Sequence, residues 1–106
     1  MTPERQRTVI AEADHWSKSV SEDVWFKHGT FAYIHQLPNY PADLNAMHEA
    51  EKVLTWDQDR DYRSWLWQLA CHKYTYAWER HRAYVSATAA QRAEAFLRTM
   101  GKWEES

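Results

Sequence analysis

Val24-Trp25-Phe26-Lys27-His28-Gly29-Thr30-Phe31-Ala32-Tyr33-Ile34 decides the fold class. Two runs rich in β-branched and aromatic residues flank Lys27-His28-Gly29-Thr30, which holds one of only two glycines in the chain. The composition of the runs suits a pleated surface, and the glycine suits a tight reversal. The spacing predicts a β-hairpin over residues 23–35 that turns at His28-Gly29. Most of the chain around it reads as helix, so the expected class is α+β. Three to four helices would pack on a small antiparallel sheet, in a single domain over residues 1–106.

Upstream, Thr2-Pro3-Glu4 carries a hydroxyl cap, a proline where its missing N–H does no harm, and an acid near the positive end of the helix dipole. The helix it opens is expected to run to about His15. Val9, Ile10, Ala13 and Trp16 would form its apolar stripe, with Arg5, Arg7, Glu12 and Asp14 facing water.

Downstream, Leu37-Pro38-Asn39-Tyr40-Pro41 is a connector, because its two prolines disfavour both helix and sheet ladder. A second helix is expected from Asp43, or the residue before it, to about Leu54. Leu44, Met47, Ala50, Val53 and Leu54 would face inward. Thr55-Trp56-Asp57-Gln58 matches a capping box and predicts a third helix with the stripe Tyr62, Trp65, Leu66 and Leu69.

Residues 74–86 fit either period. Tyr74, Tyr76 and Trp78 alternate as in a strand, while Leu66, Ala70, Tyr74, Ala77 and His81 continue a helical spacing. The reading favoured here is a strand within 80–86, at Arg82-Ala83-Tyr84-Val85, added to the hairpin sheet. Thr88 with Gln91 is a second capping box, and Ala89, Ala93, Phe96, Leu97 and Met100 share one helical face. Gly101 stands where a left-handed terminating residue is wanted.

Hydrophobic residues make up 44% of the 106 and charged residues 26%, which fits a folded globular chain. Seven tryptophans, six tyrosines and three phenylalanines are unusual at this length. Most are expected in the core, with two or three on a partner surface, where Trp and Tyr are enriched. A net charge of −2 supplies no global attraction to nucleic acid or membrane. No run has the length to cross a bilayer, Met1 to Arg5 lack the apolar core of a signal peptide, and the single Cys71 suits a reducing compartment. The expectation is a cytoplasmic protein without membrane contact.

Familiar chemistry finds little purchase. His48-Glu49-Ala50-Glu51 lacks the second histidine of a metalloprotease helix, since Lys52 stands there. Cys71 and His72 are neighbours that point about 100° apart on a helix, and a thiol–imidazole pair of Cys71 with His72 or His81 is the only nucleophile reading. Two glycines cannot make a phosphate-cradling loop, so no cofactor is expected.

One segment carries a binding pattern. Arg63, Lys73, Arg80, Arg82 and Arg92 face only Glu79 in sequence and are interleaved with Tyr74, Tyr76 and Trp78. Guanidinium forks and rings together suit phosphate contact and base stacking, so these eight basic and aromatic residues are the candidate ligand or partner site. Arg92 falls in the first turn of the last helix, where the dipole favours an anion.

Two blocks carry a resemblance. Asp43-Leu44-Asn45-Ala46-Met47-His48-Glu49-Ala50-Glu51-Lys52 and Ala87-Thr88-Ala89-Ala90-Gln91-Arg92-Ala93-Glu94-Ala95-Phe96-Leu97-Arg98-Thr99, with Leu37-Pro38-Asn39-Tyr40 before them and Trp103 after, resemble a family of small uncharacterised bacteriophage and prophage proteins. More distantly the chain is similar to the phage ABA-sandwich domain. The resemblance covers about half the chain and leaves residues 14–36 and 70–84 outside the shared pattern. It implies an α+β fold and a phage accessory protein acting in the host cytoplasm, and it transfers no catalytic residue. Joined to the aromatic excess and the missing catalytic motif, it gives the expectation of a non-enzymatic protein that binds a host protein, inhibiting an anti-phage defence system. The alternatives are a homo-oligomer that sequesters a small nucleotide signal and an enzyme of unknown class.

Overall fold

In a computed structural model of the chain, residues 1–19, 24–70 and 87–105 are described. They form an α+β fold. Helix α1 (Pro3–Ala13) is followed by strands β1 (Ser17–Lys18), β2 (Val24–Lys27) and β3 (Thr30–Tyr33), a 3-10 turn (Ile34–Gln36), and helices α2 (Leu44–Glu51), α3 (Trp56–Ala70) and α4 (Ala89–Thr99). The expected strand at 80–86 and the helix-or-strand question over 74–86 lie outside the described residues.

The hairpin forms where its sequence places it. β2 and β3 pair antiparallel with Lys27 opposite Thr30, Phe26 opposite Phe31, Trp25 opposite Ala32 and Val24 opposite Tyr33. The two linking residues both have positive φ, 49° at His28 and 80° at Gly29, so the turn twists with the strands instead of splaying them. β1, which the sequence did not suggest, pairs with the other side of β2, giving the order β1-β2-β3. Ile34 belongs to the 3-10 turn and not to the strand that its side chain suggested.

Each helix starts as its cap dictates. The Thr2 hydroxyl accepts from the Arg5 N–H, and the Asp43 carboxylate accepts from the Asn45 and Ala46 N–H groups. Thr55 with Gln58 and Thr88 with Gln91 each close a reciprocal capping box, with all four distances between 2.9 and 3.3 Å. The ends differ more from expectation. α1 stops at Ala13 because His15, at φ 70°, reverses the chain and lets Trp16 N–H reach the Ala11 carbonyl. Gly101, at φ 71°, does the same for α4, where the Lys102 N–H reaches the Leu97 carbonyl. α2 ends at Glu51, three residues before the expected Leu54, and Val53 and Leu54 pack from a turn.

The core gathers Val9, Ile10 and Ala11 of α1, Trp25 and Ala32 of the sheet's inner face, Leu37, Tyr40, Met47, Ala50, Tyr62, Leu66, and Ala93, Phe96 and Leu97 of α4. α3 and α4 make the broadest helix–helix contact. The Gln91 amide strengthens it by donating to the Leu69 carbonyl at 3.3 Å. Leu44 departs from its expected inward position and is exposed, because α2 begins beyond the edge of the core.

Two buried polar networks join the elements. Asp14, expected to face water, is buried: it accepts from the Tyr40 hydroxyl at 2.8 Å and pairs with Lys27 Nζ at 3.1 Å. The latch ties the end of α1 to β2 and to the proline-flanked connector. A buried carboxylate needs such partners, since desolvating it alone is costly. In the second network, Arg92 Nη1 lies 3.2 Å from Glu51 Oε1, which is also 3.5 Å from His48 Nδ1, and Arg92 Nε donates to the Ala87 carbonyl. Tyr62 sits beside this pair. Burial first, then the Glu51 charge, raises its hydroxyl pKa well above the ordinary value. The same holds for Tyr40, through burial and then the Asp14 charge.

Candidate protein-binding face

Strand pleating puts alternate residues of the hairpin on opposite faces. Trp25 and Ala32 point inward and are buried, with Lys18 of β1 placing its ammonium 5.5 Å from the Trp25 ring. The outward positions are Val24, Phe26, Phe31 and Tyr33, and three of these four are large aromatics. A solvated sheet face would ordinarily be polar. Phe31 is 72% exposed, Tyr33 55%, Ile34 43% and Phe26 39%.

These side chains are ordered against one another. The rings of Phe26 and Phe31, directly opposite in the ladder, lie 6.0 Å apart at 60°, a tilted aromatic pair. The Tyr33 ring stacks on His35 at 5.9 Å and 6°. Gln36 folds back so that its Oε1 accepts from the Tyr33 N–H at 3.0 Å. Beside them runs a shallow cleft of about 280 Å³ lined by Val24, Phe31, Ala32, Tyr33 and Gln36. The tight turn and the Lys27–Asp14–Tyr40 latch hold this platform to the body, so its rings are presented on regular structure.

Arg63 and Arg92 are the only members of the basic and aromatic set that lie among the described residues. Arg63 is exposed on α3 and takes Asp59 as partner at 2.9 Å. Arg92 is 2% exposed, and this corrects its expected role: its guanidinium turns into the core toward Glu51 instead of out toward a ligand at the helix entrance. A helix N-terminus attracts anions, but here the anion is supplied internally by α2. Lys73, Tyr74, Tyr76, Trp78, Arg80 and Arg82 lie outside the described residues, as do Cys71, His72 and His81 of the nucleophile reading. Among the described residues, no three of His, Cys, Asp and Glu converge as metal ligands would. None of the described helices is long and apolar enough to cross a membrane.

Sequence reasoning missed Phe26, Phe31, Tyr33 and Ile34 as a surface. The signal lay in the strand pattern itself. Both phases of Val24-Trp25-Phe26 and Phe31-Ala32-Tyr33 are apolar, and a two-sided apolar hairpin in so short a chain has core for one side only. Compared with protein-family models, curated proteins and solved structures, the chain matches none.

Proposed function

We propose that this chain is a non-enzymatic phage accessory protein that binds a host protein through the outer face of its hairpin, and that its target belongs to an anti-phage defence system. The phage origin and the target class rest on the resemblance of residues 43–52 and 87–99. The binding mode rests on one observation, the contiguous exposure of Phe26, Phe31, Tyr33 and Ile34 on a sheet whose other side is the core. Aromatic anchors surrounded by a polar rim are the usual source of affinity at protein interfaces. The face also falls within residues 14–36, outside the pattern shared with the phage family, where a protein-specific surface is expected. Sequestration of a nucleotide is less well supported, since Arg92 is committed to Glu51.

The test pairs the natural chain with a Phe26→Thr, Phe31→Thr, Tyr33→Thr variant, which keeps residues suited to strands. Both serve as bait in bacterial lysate, and phage carrying each form are plated on hosts with and without defence systems. Capture of one host protein by the natural chain alone, with loss of plating only on defended hosts, is the expected result. Equal capture by both forms would overturn the assignment of the face.

A further inference from the structure

Resting on that reading, we infer that the cleft beside Phe31 and Tyr33 is the anchor site of the face, and that the side chain it takes from the host partner is an exposed tyrosine. Size is the first support. The cleft measures about 280 Å³. Small-molecule and cofactor pockets run from roughly 300 to 1,000 Å³, so this one suits a single inserted side chain. Phe31 and Tyr33 stand two residues apart on the same face of β3, hence roughly 7 Å apart along the strand. That spacing admits one flat ring with ordinary van der Waals contact, about 3.5 Å, on either side. Both walls already have ring partners, Phe26 at 6.0 Å from the Phe31 ring and His35 at 5.9 Å from that of Tyr33. Aromatic anchors seated in such pockets carry much of the affinity at protein interfaces.

Hydrogen bonding is the second support, and it selects among the aromatic residues. Val24, Phe31 and Ala32 line the cleft with hydrocarbon, Tyr33 with its ring and Gln36 with an amide. The Tyr33 N–H donates to Gln36 Oε1 at 3.0 Å, which fixes the orientation of that amide. Its Nε2 end makes no hydrogen bond to a described residue. Covering this donor without offering an acceptor costs free energy, so the anchor has to accept. Of phenylalanine, tyrosine and tryptophan, only tyrosine can, since indole is donor-only. Lysine and arginine are donor-only too. A carboxylate accepts, but none of the five lining residues carries a counter-charge, and Glu22 and Asp23 directly precede Val24 in sequence.

The probe is N-acetyl-tyrosinamide, titrated into the ¹⁵N-labelled full chain beside the phenylalanine, tryptophan and glutamate analogues. Saturable shifts centred on the Phe31 and Tyr33 amides and the Gln36 side-chain amide are expected. The tyrosine compound should bind roughly three- to tenfold more tightly than the others, the worth of one net hydrogen bond. Gln36→Met keeps an unbranched side chain, removes the donor, and should bring the tyrosine and phenylalanine compounds to equal affinity. Should Gln36→Met disturb the 3-10 turn, Gln36→Glu retains the acceptor for the Tyr33 N–H. Its carboxylate can only accept, so this variant should bind the tyrosine compound and reject its O-methyl ether, which the natural chain takes.

Equal binding of the tyrosine and phenylalanine compounds by the natural chain, or a tyrosine preference that survives Gln36→Met, would overturn the tyrosine anchor. So would tighter binding of the glutamate compound, or shifts that avoid Phe31, Tyr33 and Gln36. The capture experiment reports separately on the reading beneath it. If the tyrosine compound fails while the threonine triple variant still loses its captured host protein, the face binds through a different anchor. If that variant captures its partner normally, the binding reading itself fails.

Discussion

Arg98 of α4 lies between the rings of Trp65 and Trp103, 5.1 and 5.2 Å from their centroids, and is held by Glu94 at 2.7 Å and Glu105 at 3.1 Å. Among the described residues, the rings of Phe26 and Phe31 pair with each other and the Tyr33 ring stacks on His35, and all three are exposed. Both regions are aromatic-rich, yet Trp65 and Trp103 are engaged within the molecule. There a cation, two acids and the following segment close over the tryptophans, and Glu104 pins that segment to Arg5 of α1 at 3.1 Å. The comparison teaches that aromatic content alone does not mark a binding surface. The face proposed for binding differs in combining exposed rings with regular strand structure.

The contrast is broken or sharpened by substitution on either side of it. The largest expected effects belong to the interior. Trp25→Ala, on the inner face of the hairpin, should cost about 3–5 kcal/mol in urea denaturation. Arg92→Met should cost about 3–5 kcal/mol, because Glu51 is left buried without its cation. A small effect of Arg92→Met, with lost binding, would return Arg92 to the surface role that its position in the sequence suggested.

Next comes the latch that carries the hairpin. Tyr40→Phe removes a hydrogen bond to a charged, buried partner and should cost about 1.5–3 kcal/mol by the same measurement. Its pH dependence has a definite sign. The folded-state pKa values of Tyr40 and Tyr62 are raised above the ordinary value of about 10, so their stabilisation is complete below pH 10. It falls above pH 10 by up to about 1.4 kcal/mol per unit for each tyrosine. Ultraviolet titration should show Tyr40 and Tyr62 ionising only on unfolding, and one fewer such tyrosine in Tyr40→Phe.

Thr88→Ala, which opens the capping box of α4, should cost about 0.5–2 kcal/mol in chemical denaturation. The smallest effect is expected on the outer face, where Phe31→Thr should change stability by less than about 0.5 kcal/mol while reducing partner capture. A large loss of stability there would mean that the face is already covered in the folded molecule.

Much of the fold was legible because it is written locally. Thr2, Asp43, Thr55 and Thr88 each begin a helix through a hydrogen bond to a residue two or three positions on, and such contacts depend on little else. The hairpin was legible for the same reason, since its turn needs only the positive φ that Gly29 adopts freely and His28 tolerates. The candidate site was far less so. Its outward aromatics look like core residues in sequence, and Arg92 looks like a surface cation.

By itself, then, the sequence determined where helices and hairpin begin and turn, and hence the α+β class, since caps, turn residues and periodicity act over a few positions. Only the tertiary structure decided which face of each element met the core. That choice buried Asp14 and Arg92 against Tyr40, Lys27 and Glu51, residues 13 to 41 positions away, and left Phe31 and Tyr33 outside. The physical reason is that one small core covers one face of the sheet, and no short-range rule says which aromatic residues will find room in it.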